Sequence, residues 1–199
     1  MRSRLTIAAG MFTGPLFLTY WLVHAAVYEV PALEPVGPTD DGGWIMPTGH
    51  KVRSAGQTIA FPGRPVNLVL SKNGEVLYVK DNKTIRVIGA EDFKIRQELP
   101  FPMKEGASMH GLALSHDGKR LYATTAQRHM HEAVIDDMGG LKWKRAIELP
   151  GPKGPKPKES SHSLGIALTR DGKVAYVCLS RNNTLGIVDL LAGKLVKQI

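Results

Sequence analysis

The sequence predicts an all-β fold made of repeated four-stranded antiparallel sheets. Three related phrases carry this prediction: LVLSKNGEVLYV at 68–79, LALSHDGKRLYAT at 112–124 and IALTRDGKVAYVC at 166–178. Each phrase joins an apolar alternating run, a Ser or Thr, a turn ending in Gly and a second run that contains Tyr. Alternation is typical of strands, and Gly accepts the positive φ of a tight turn. A β-hairpin therefore recurs at a spacing of roughly 40–50 residues.

Two further short runs follow each hairpin, which gives four strands per repeat. Turn residues separate these runs, as in RNN at 181–183 and LAG at 191–193. The phrases ELP at 98–100 and ELP at 148–150 close the first two repeats, and proline fits a strand end because it cannot donate to a ladder. The predicted strands are 66–71, 75–80, 84–88 and 93–99 in the first repeat, 110–115, 119–125, 132–135 and 142–149 in the second, and 165–169, 173–179, 184–189 and 194–199 in the third.

Four antiparallel strands in about 40 residues form one blade of a β-propeller. The alternative is an all-β sandwich with regular turns, but a sandwich has no need to repeat its turn chemistry. The phrases SHDGKRLYAT, TRDGKVAYVC and TLGIVDLLAGKLVKQI resemble the YVTN-type (YncE-like) β-propeller repeat. Residues 163–199 match that repeat almost throughout, and residues 66–149 match it more loosely. His116 and Arg170 stand where the family usually has Pro, Asn73 replaces Asp and Ala192 replaces Thr, without loss of the turn.

We expect a partial propeller over 44–199, with blades at about 62–102, 106–152 and 160–199. Residues 44–61, with a strand over 51–61, are expected to complete the last blade of the ring. A closed propeller needs about 4–8 blades, so three blades would leave two uncovered sheet faces. We therefore expect the chain to be the front part of a longer protein. The alternative is that several chains assemble into one ring.

The N-terminus has the pattern of an export signal. Arg2 and Arg4 precede an apolar stretch over 5–27, and a positive flank before an apolar run is typical of secretion. Residues 1–28 are expected to form an apolar helix, either a signal peptide cleaved near Ala25 and Ala26 or an uncleaved membrane anchor. Both interpretations place the repeats in the periplasm or outside the cell. Residues 29–43 are rich in Pro and acidic side chains and are interpreted as a linker.

The net charge and the cysteine content limit the binding partners and the disulfides that can be expected. The net charge is +8, with Lys153, Lys156 and Lys158 clustered in an expected loop between blades. No aromatic–basic strand pattern and no groove-binding helix is predicted, so nucleic acid is not an expected partner. The expected partner is an unknown ligand or protein at the axial mouth of the propeller. Cys178 is the only cysteine, which excludes an internal disulfide, and we predict that it lies in the core.

The sequence contains seven histidines, and a metal site built from them is the candidate functional site. His129 and His131 are two residues apart, so on a strand both rings face the same way and can reach one ion. His110 and His162 lie near the start of the innermost strands of successive repeats, and we include them in a candidate site for a divalent metal on the axis. They are two strand positions out of step, which favours hydrogen-bonding roles instead. No other cofactor is expected.

No catalytic constellation is predicted from the sequence. Asp136 and Asp189 end the third strands of their repeats, and Asp117 and Asp171 lie in hairpin turns, where carboxylates accept amide hydrogen bonds. Three functions stay open. The first is an exported scaffold that binds a ligand or partner. The second is the propeller portion of an exported phosphoesterase. Residues 43–61, GWIMPTGHKVRSAGQTIAF, resemble the entry strand of bacterial proteins that join a YVTN-type propeller to a phosphoesterase domain of the alkaline-phosphatase superfamily. The third is a lactonase-like hydrolase.

Overall fold

A computed structural model describes residues 34–153 and 159–199 of the chain. The chain divides into two compact units at residues 57 and 58, which are described separately. The first unit contains a small antiparallel sheet of β1 (Gly37–Pro38), β2 (Trp44–Ile45) and β3 (Lys51–Val52). Only the first two residues of the strand predicted over 51–61 are therefore in a strand. The predicted signal peptide or anchor at 1–28 lies outside the described residues.

The second unit consists of three antiparallel sheets, each with four strands in sequence order. We call these sheets blades 1, 2 and 3. This confirms the predicted all-β fold of four-stranded units. The strands of blade 1 are β4 (Asn67–Leu70), β5 (Val76–Lys80), β6 (Thr84–Gly89) and β7 (Ile95–Pro100); those of blade 2 are β8 (Ala107–Leu114), β9 (Arg120–Thr125), β10 (His129–Ile135) and β11 (Leu141–Glu148); those of blade 3 are β12 (Ser163–Leu168), β13 (Val174–Leu179), β14 (Thr184–Asp189) and β15 (Lys194–Gln198). In the part of the chain that the structure covers, no helix has the length and apolarity to cross a bilayer.

The hairpin turns follow the chemistry expected from the repeated phrases. Asp117 accepts hydrogen bonds from the Ser115 hydroxyl at 2.5 Å and from the Lys119 amide at 3.0 Å. Asp171 does the same with the Thr169 hydroxyl and the Lys173 amide. The hydroxyl bond is the main cause of the lowered pKa of both carboxyls. The structural role predicted for these residues is confirmed.

Two apolar cores join the blades. The first lies between blades 1 and 2, where Tyr78, Ile85 and Leu121 are fully buried. The second lies between blades 2 and 3, where Met130 and Val177 are fully buried. Neighbouring blades thus bury the facing sides of their sheets against each other, and the alternation of side chains along the strands decides which residues take part.

The prediction that Cys178 lies in the core is wrong, because its side chain is exposed. Ala175, Val177 and Leu179 on β13 face blade 2 and are fully buried. Successive residues of a strand point to opposite faces, so Cys178 points away from blade 2 together with Tyr176, which is 38% exposed. The repeat pattern identified a strand position correctly but did not specify which face of the sheet was covered.

Polar contacts between the blades accompany the apolar cores near the first strand of each sheet. Lys80 of β5 is fully buried, and its Nζ donates to Ser108 Oγ, to the His110 carbonyl and, at 3.1 Å, to the Gly111 carbonyl of blade 2. Thr124 of β9 donates to the Leu164 carbonyl of blade 3 at 2.7 Å. The accepting carbonyls lie where the register of β8 and of β12 shifts, which leaves them free of ladder bonds to the neighbouring strand.

Candidate metal centre between the first two blades

The candidate centre is built on the start of β10. This strand begins at His129, three residues before the predicted start at Glu132. His129 and His131 therefore lie on one face of the strand, at alternate positions, with Met130 pointing to the opposite face into the second core. The two imidazole ring centroids are 5.8 Å apart. The register places both rings towards blade 1.

Glu105 completes the centre from the connection between blades 1 and 2. It follows a short 3-10 turn at Pro102–Lys104, and its amide donates to the Pro102 carbonyl at 3.2 Å. Met103 and Lys104 both have left-handed backbone conformations, with φ of 57° and 54°. Such φ values are unfavourable for residues other than Gly and concentrate at functional sites. This strained turn directs the Glu105 carboxylate towards the two rings.

The carboxylate of Glu105 bridges both histidines. His129 Nδ1 donates to Glu105 Oε1 at 2.7 Å, and His131 Nε2 donates to Glu105 Oε2 at 3.0 Å. The side chain of His131 is 1% exposed, whereas those of Glu105 and His129 are 9% and 14% exposed. Solvent therefore reaches the centre at His129 and Glu105, whereas His131 is enclosed.

The electrostatics favour a carboxylate beside a neutral ring. Burial raises the pKa of Glu105, but the hydrogen bonds and charges of His129 and His131 outweigh this effect and leave that pKa below its usual value. Burial lowers the pKa of His131 by more than the bond to Glu105 raises it. At neutral pH the centre thus presents an ionised carboxylate beside a neutral His131 ring. A metal ion would replace the protons through which His129 Nδ1 and His131 Nε2 contact Glu105.

One atom of the centre has no partner. His131 Nδ1 is buried and makes no hydrogen bond within the described residues. A buried polar atom without a partner is rare in folded proteins and marks places that a water, an ion or a functional group completes. Aromatic rings surround it, since the centroids of Trp143 and Phe101 lie 5.3 Å and 5.9 Å from that of His131. These rings keep the dielectric constant low and exclude water from one side.

Two histidines and one carboxylate fit a divalent transition metal. One ligand atom from each of Glu105, His129 and His131 lies within 4.8 Å of the others. Ligands of one tetrahedral zinc lie roughly 3.3 Å apart, so side-chain rotations that close the gap by about 1–1.5 Å would form the centre. Imidazole favours zinc, copper, iron or nickel over magnesium or calcium. Three protein ligands leave a coordination position for water or another ligand.

The four histidines that the sequence placed in one metal site do not all lie at one site in the structure. His129 and His131 share the centre, whereas His110 lies exposed on β8 and His162 precedes β12 with a left-handed φ of 48°. Among residues 34–153 and 159–199, the group formed with Glu105 is the only one of its kind. Sequence reasoning missed Glu105, because a single acidic residue in a turn carries no periodic signal. Asp136 and Asp189 accept turn amides as predicted.

No protein-family model and no curated protein matches the sequence. Solved structures do match. A putative 6-phosphogluconolactonase from Bacteroides fragilis is 20% identical with a TM-score of 0.53, over 78% of this chain and 42% of that one. The periplasmic gluconolactonase of Pseudomonas aeruginosa is 20% identical with a TM-score of 0.52, over 68% and 38%. The Swd1 β-propeller domain of Myceliophteria thermophila is 15% identical with a TM-score of 0.55, over 69% and 43%.

These identities establish a shared fold and leave the activity of this chain open. The chain spans about two fifths of the length of the structures named above. Their similarity and the three four-stranded sheets together show that the chain has the β-propeller fold.

Proposed function

We propose that this protein is an exported β-propeller scaffold that binds a divalent transition-metal ion through Glu105, His129 and His131. The observation that carries the proposal is the Glu105 carboxylate, which bridges two imidazoles at 2.7 Å and 3.0 Å in a largely buried pocket. The site lies between the first two blades, whereas the sequence placed it on the axis. Exposed Met109 and His110 on β8 are the residues offered to a ligand or protein partner at the axial mouth.

Zinc titration of the full 199-residue chain tests the metal site. Isothermal calorimetry is expected to show one zinc ion per chain. Replacing a ligand is expected to weaken binding by about 100-fold or more, since changing even an outer-shell partner costs 10–100-fold. His129→Ala and Glu105→Gln are the main variants, because both side chains reach solvent and Gln keeps the shape of Glu.

His116→Ala is the matched control, because His116 is an exposed histidine in a hairpin turn. It is expected to bind zinc as the parent chain does. A parent chain that binds no zinc contradicts the proposal, as does equal weakening in the control. Circular dichroism of each variant confirms that the sheets are intact.

Export is a separate part of the proposal and rests on Arg2, Arg4 and the apolar stretch at 5–27. Expression in a bacterium followed by fractionation is expected to place the chain in the periplasm or on the outer face of the inner membrane. N-terminal sequencing then distinguishes cleavage near Ala25 from an intact anchor. Recovery of the uncleaved chain in the cytosol would reject export.

The YVTN-type assignment is our proposal for the finer family. It rests on the repeat phrases and on the entry segment at 43–61. In the related arrangement with an alkaline-phosphatase-superfamily domain, this propeller would orient substrate while other residues hold the catalytic metals. The chain alone is then expected to leave p-nitrophenyl phosphate intact, and turnover by it would contradict this role.

A lactonase-like activity is the second candidate, and the gluconolactonase structures favour it because they share the fold. Glu105 is the carboxylate that such chemistry would use, since Asp117, Asp136, Asp171 and Asp189 are engaged in turns. The assay is proton release from gluconolactone, with Glu105→Gln as the inactive variant. If the parent chain releases no protons from gluconolactone, the lactonase activity is rejected. Metal binding is then still tested separately by the zinc titration.

A further inference from the structure

The second strand of blade 2 begins with a charged residue where the other two blades have valine. Arg120, Val76 and Val174 each begin the second strand of their blade. The backbone amide at this position donates to the hydroxyl of the Ser or Thr before the hairpin turn in all three blades, so the three residues correspond. Val76 is buried in the first core, whereas Arg120 lines a cavity between blades 2 and 3.

A second departure from the repeat lies on the same sheet. The tyrosine of the second strand pairs with Glu132 in blade 2 but with Val87 and Ile187 in blades 1 and 3. Glu132 is fully buried, and its carboxylate accepts a hydrogen bond from Arg145 Nε and lies 3.5 Å from Arg120 Nη1. Charged groups at such positions cost free energy unless they are paired. The buried carboxylate therefore holds the Arg120 guanidinium at the boundary between the two blades.

The cavity beside Arg120 has a volume of about 270 Å³ and lies between the hairpin turns of blades 2 and 3. Its lining combines apolar and charged side chains. The apolar ones are Tyr122, Leu168 and Leu190, and the charged ones are Arg120, Arg170, Asp117 and Asp171. Pockets for drug-sized ligands begin at about 300 Å³, so this cavity fits a smaller molecule.

The corresponding space between blades 1 and 2 is filled. The side chain of Lys72 lies against Gly118, so that a Cβ on this glycine would be 2.9 Å from Lys72 Cδ. Between blades 2 and 3 the corresponding residues are His116 and Gly172, and a Cβ on Gly172 would meet no described atom within 4 Å. The second junction is therefore open where the first is closed.

The charged lining carries two positive and two negative groups. Within the described residues, Asp117 and Asp171 each use only Oδ1 for the hydrogen bonds of their turns. The pKa of the Asp117 carboxyl is lowered mainly by the hydroxyl of Ser115 and also by the charge of Arg120. Opposite charges thus lie near each other at the cavity, as they do in a ligand with adjacent carboxylate and ammonium groups.

We propose that this cavity binds a free α-amino acid with an apolar side chain. The guanidinium groups of Arg120 and Arg170 bind its carboxylate, because paired N–H donors match the geometry of a carboxylate. Asp117 and Asp171 accept hydrogen bonds from its ammonium group. The leucine and tyrosine side chains of the lining contact its apolar side chain. This site is separate from the metal centre, which lies between blades 1 and 2.

Isothermal calorimetry of the full chain with L-leucine tests the site, in buffer stripped of metal ions so that the metal centre takes no part. The parent is expected to bind one L-leucine per chain. Isocaproate lacks the ammonium group of leucine and isoamylamine lacks its carboxylate, so both are expected to bind about 10-fold more weakly or worse. A parent chain that binds no L-leucine at millimolar concentration overturns the proposal, as does equal binding of either analogue.

Two variants locate the binding in the cavity. Arg170→Met and Asp117→Asn change exposed turn residues, and Asn keeps the oxygen that accepts the hydrogen bonds of the turn. Each is expected to weaken L-leucine binding by about 10–100-fold. Arg53→Met is the matched control, since Arg53 is an arginine of the first unit whose side chain is 65% exposed, and it should bind as the parent does. Undiminished binding by either variant, or an equal loss in the control, contradicts the proposal.

Discussion

Replacing Lys80 by Met tests how a buried cation affects the stability of the propeller. Lys80 is fully buried between blades 1 and 2, and burial lowers its pKa from 10.5 to about 7. Met has a similar length and no charge. After the change, the His110 carbonyl keeps a hydrogen bond from the Ser108 hydroxyl, whereas the Gly111 carbonyl loses the donor at 3.1 Å, because the one hydroxyl proton of Thr124 is donated to the Leu164 carbonyl.

The direction in which the unfolding free energy changes with pH follows from the number of protons that the folded and unfolded states bind. Between pH 7 and 10.5 the unfolded chain binds a proton on Lys80 that the folded chain has released, so the stability of the parent rises with pH in this window. Below pH 7 both states are protonated and the cost of burying the charge is fully present. Between pH 7 and pH 9 the parent gains about 2 kcal/mol of unfolding free energy from this residue.

Urea unfolding at pH 7 and pH 9 measures the effect. Other titrating groups act equally on parent and variant, so the quantity of interest is the difference between their unfolding free energies at each pH. That difference is expected to shift in favour of the parent by about 2 kcal/mol from pH 7 to pH 9. A difference that is independent of pH, with unchanged m-values, would refute the reasoning.

Three further changes test contacts between blades and within blade 2 through urea unfolding at neutral pH. Tyr78→Phe removes the bond from its hydroxyl to the Gly139 carbonyl at 3.1 Å and is expected to cost about 1 kcal/mol; a loss within error shows that the bond contributes nothing. Leu121→Ala opens a cavity in the first core and is expected to cost about 2–5 kcal/mol, so a loss under 1 kcal/mol would deny close packing there. Glu132→Gln removes the buried carboxylate that pairs with Arg145 of the same blade and is expected to cost about 1.5–3 kcal/mol, and unchanged stability would show that the ion pair is dispensable.

The sequence predicted most of the strands because local chemistry determines them. The strand 184–189 was predicted with the boundaries of β14, and the hairpins around Gly118 and Gly172 have the positive φ that their turns require. The start of β10 was missed by three residues, since Met130 is the only apolar residue at 127–131 and one apolar residue does not establish an alternating pattern. The histidine pair could be predicted from its i, i+2 spacing alone.

Properties that depend on contacts between blades could not be predicted. Glu105 reaches His129 across 24 residues of chain, and no sequence period links a turn to a strand at that separation. Cys178 was assigned to the core because its strand is apolar, but burial depends on what covers each face of the sheet. Lys80 is the opposite case, because a charged side chain is expected to be exposed and this one is fully buried. Carbonyl groups of blade 2 accept its hydrogen bonds there.

The most direct test of the metal centre is the coordination of the bound ion. Zinc K-edge X-ray absorption of the full chain with one equivalent of zinc is expected to show two imidazole nitrogens and at least one oxygen at about 2.0–2.2 Å. Glu105→Gln and His129→Ala should each change that ligand set, and His116→Ala should preserve it. A spectrum with oxygen ligands alone, or one unaffected by replacing Glu105 or His129, would contradict the account.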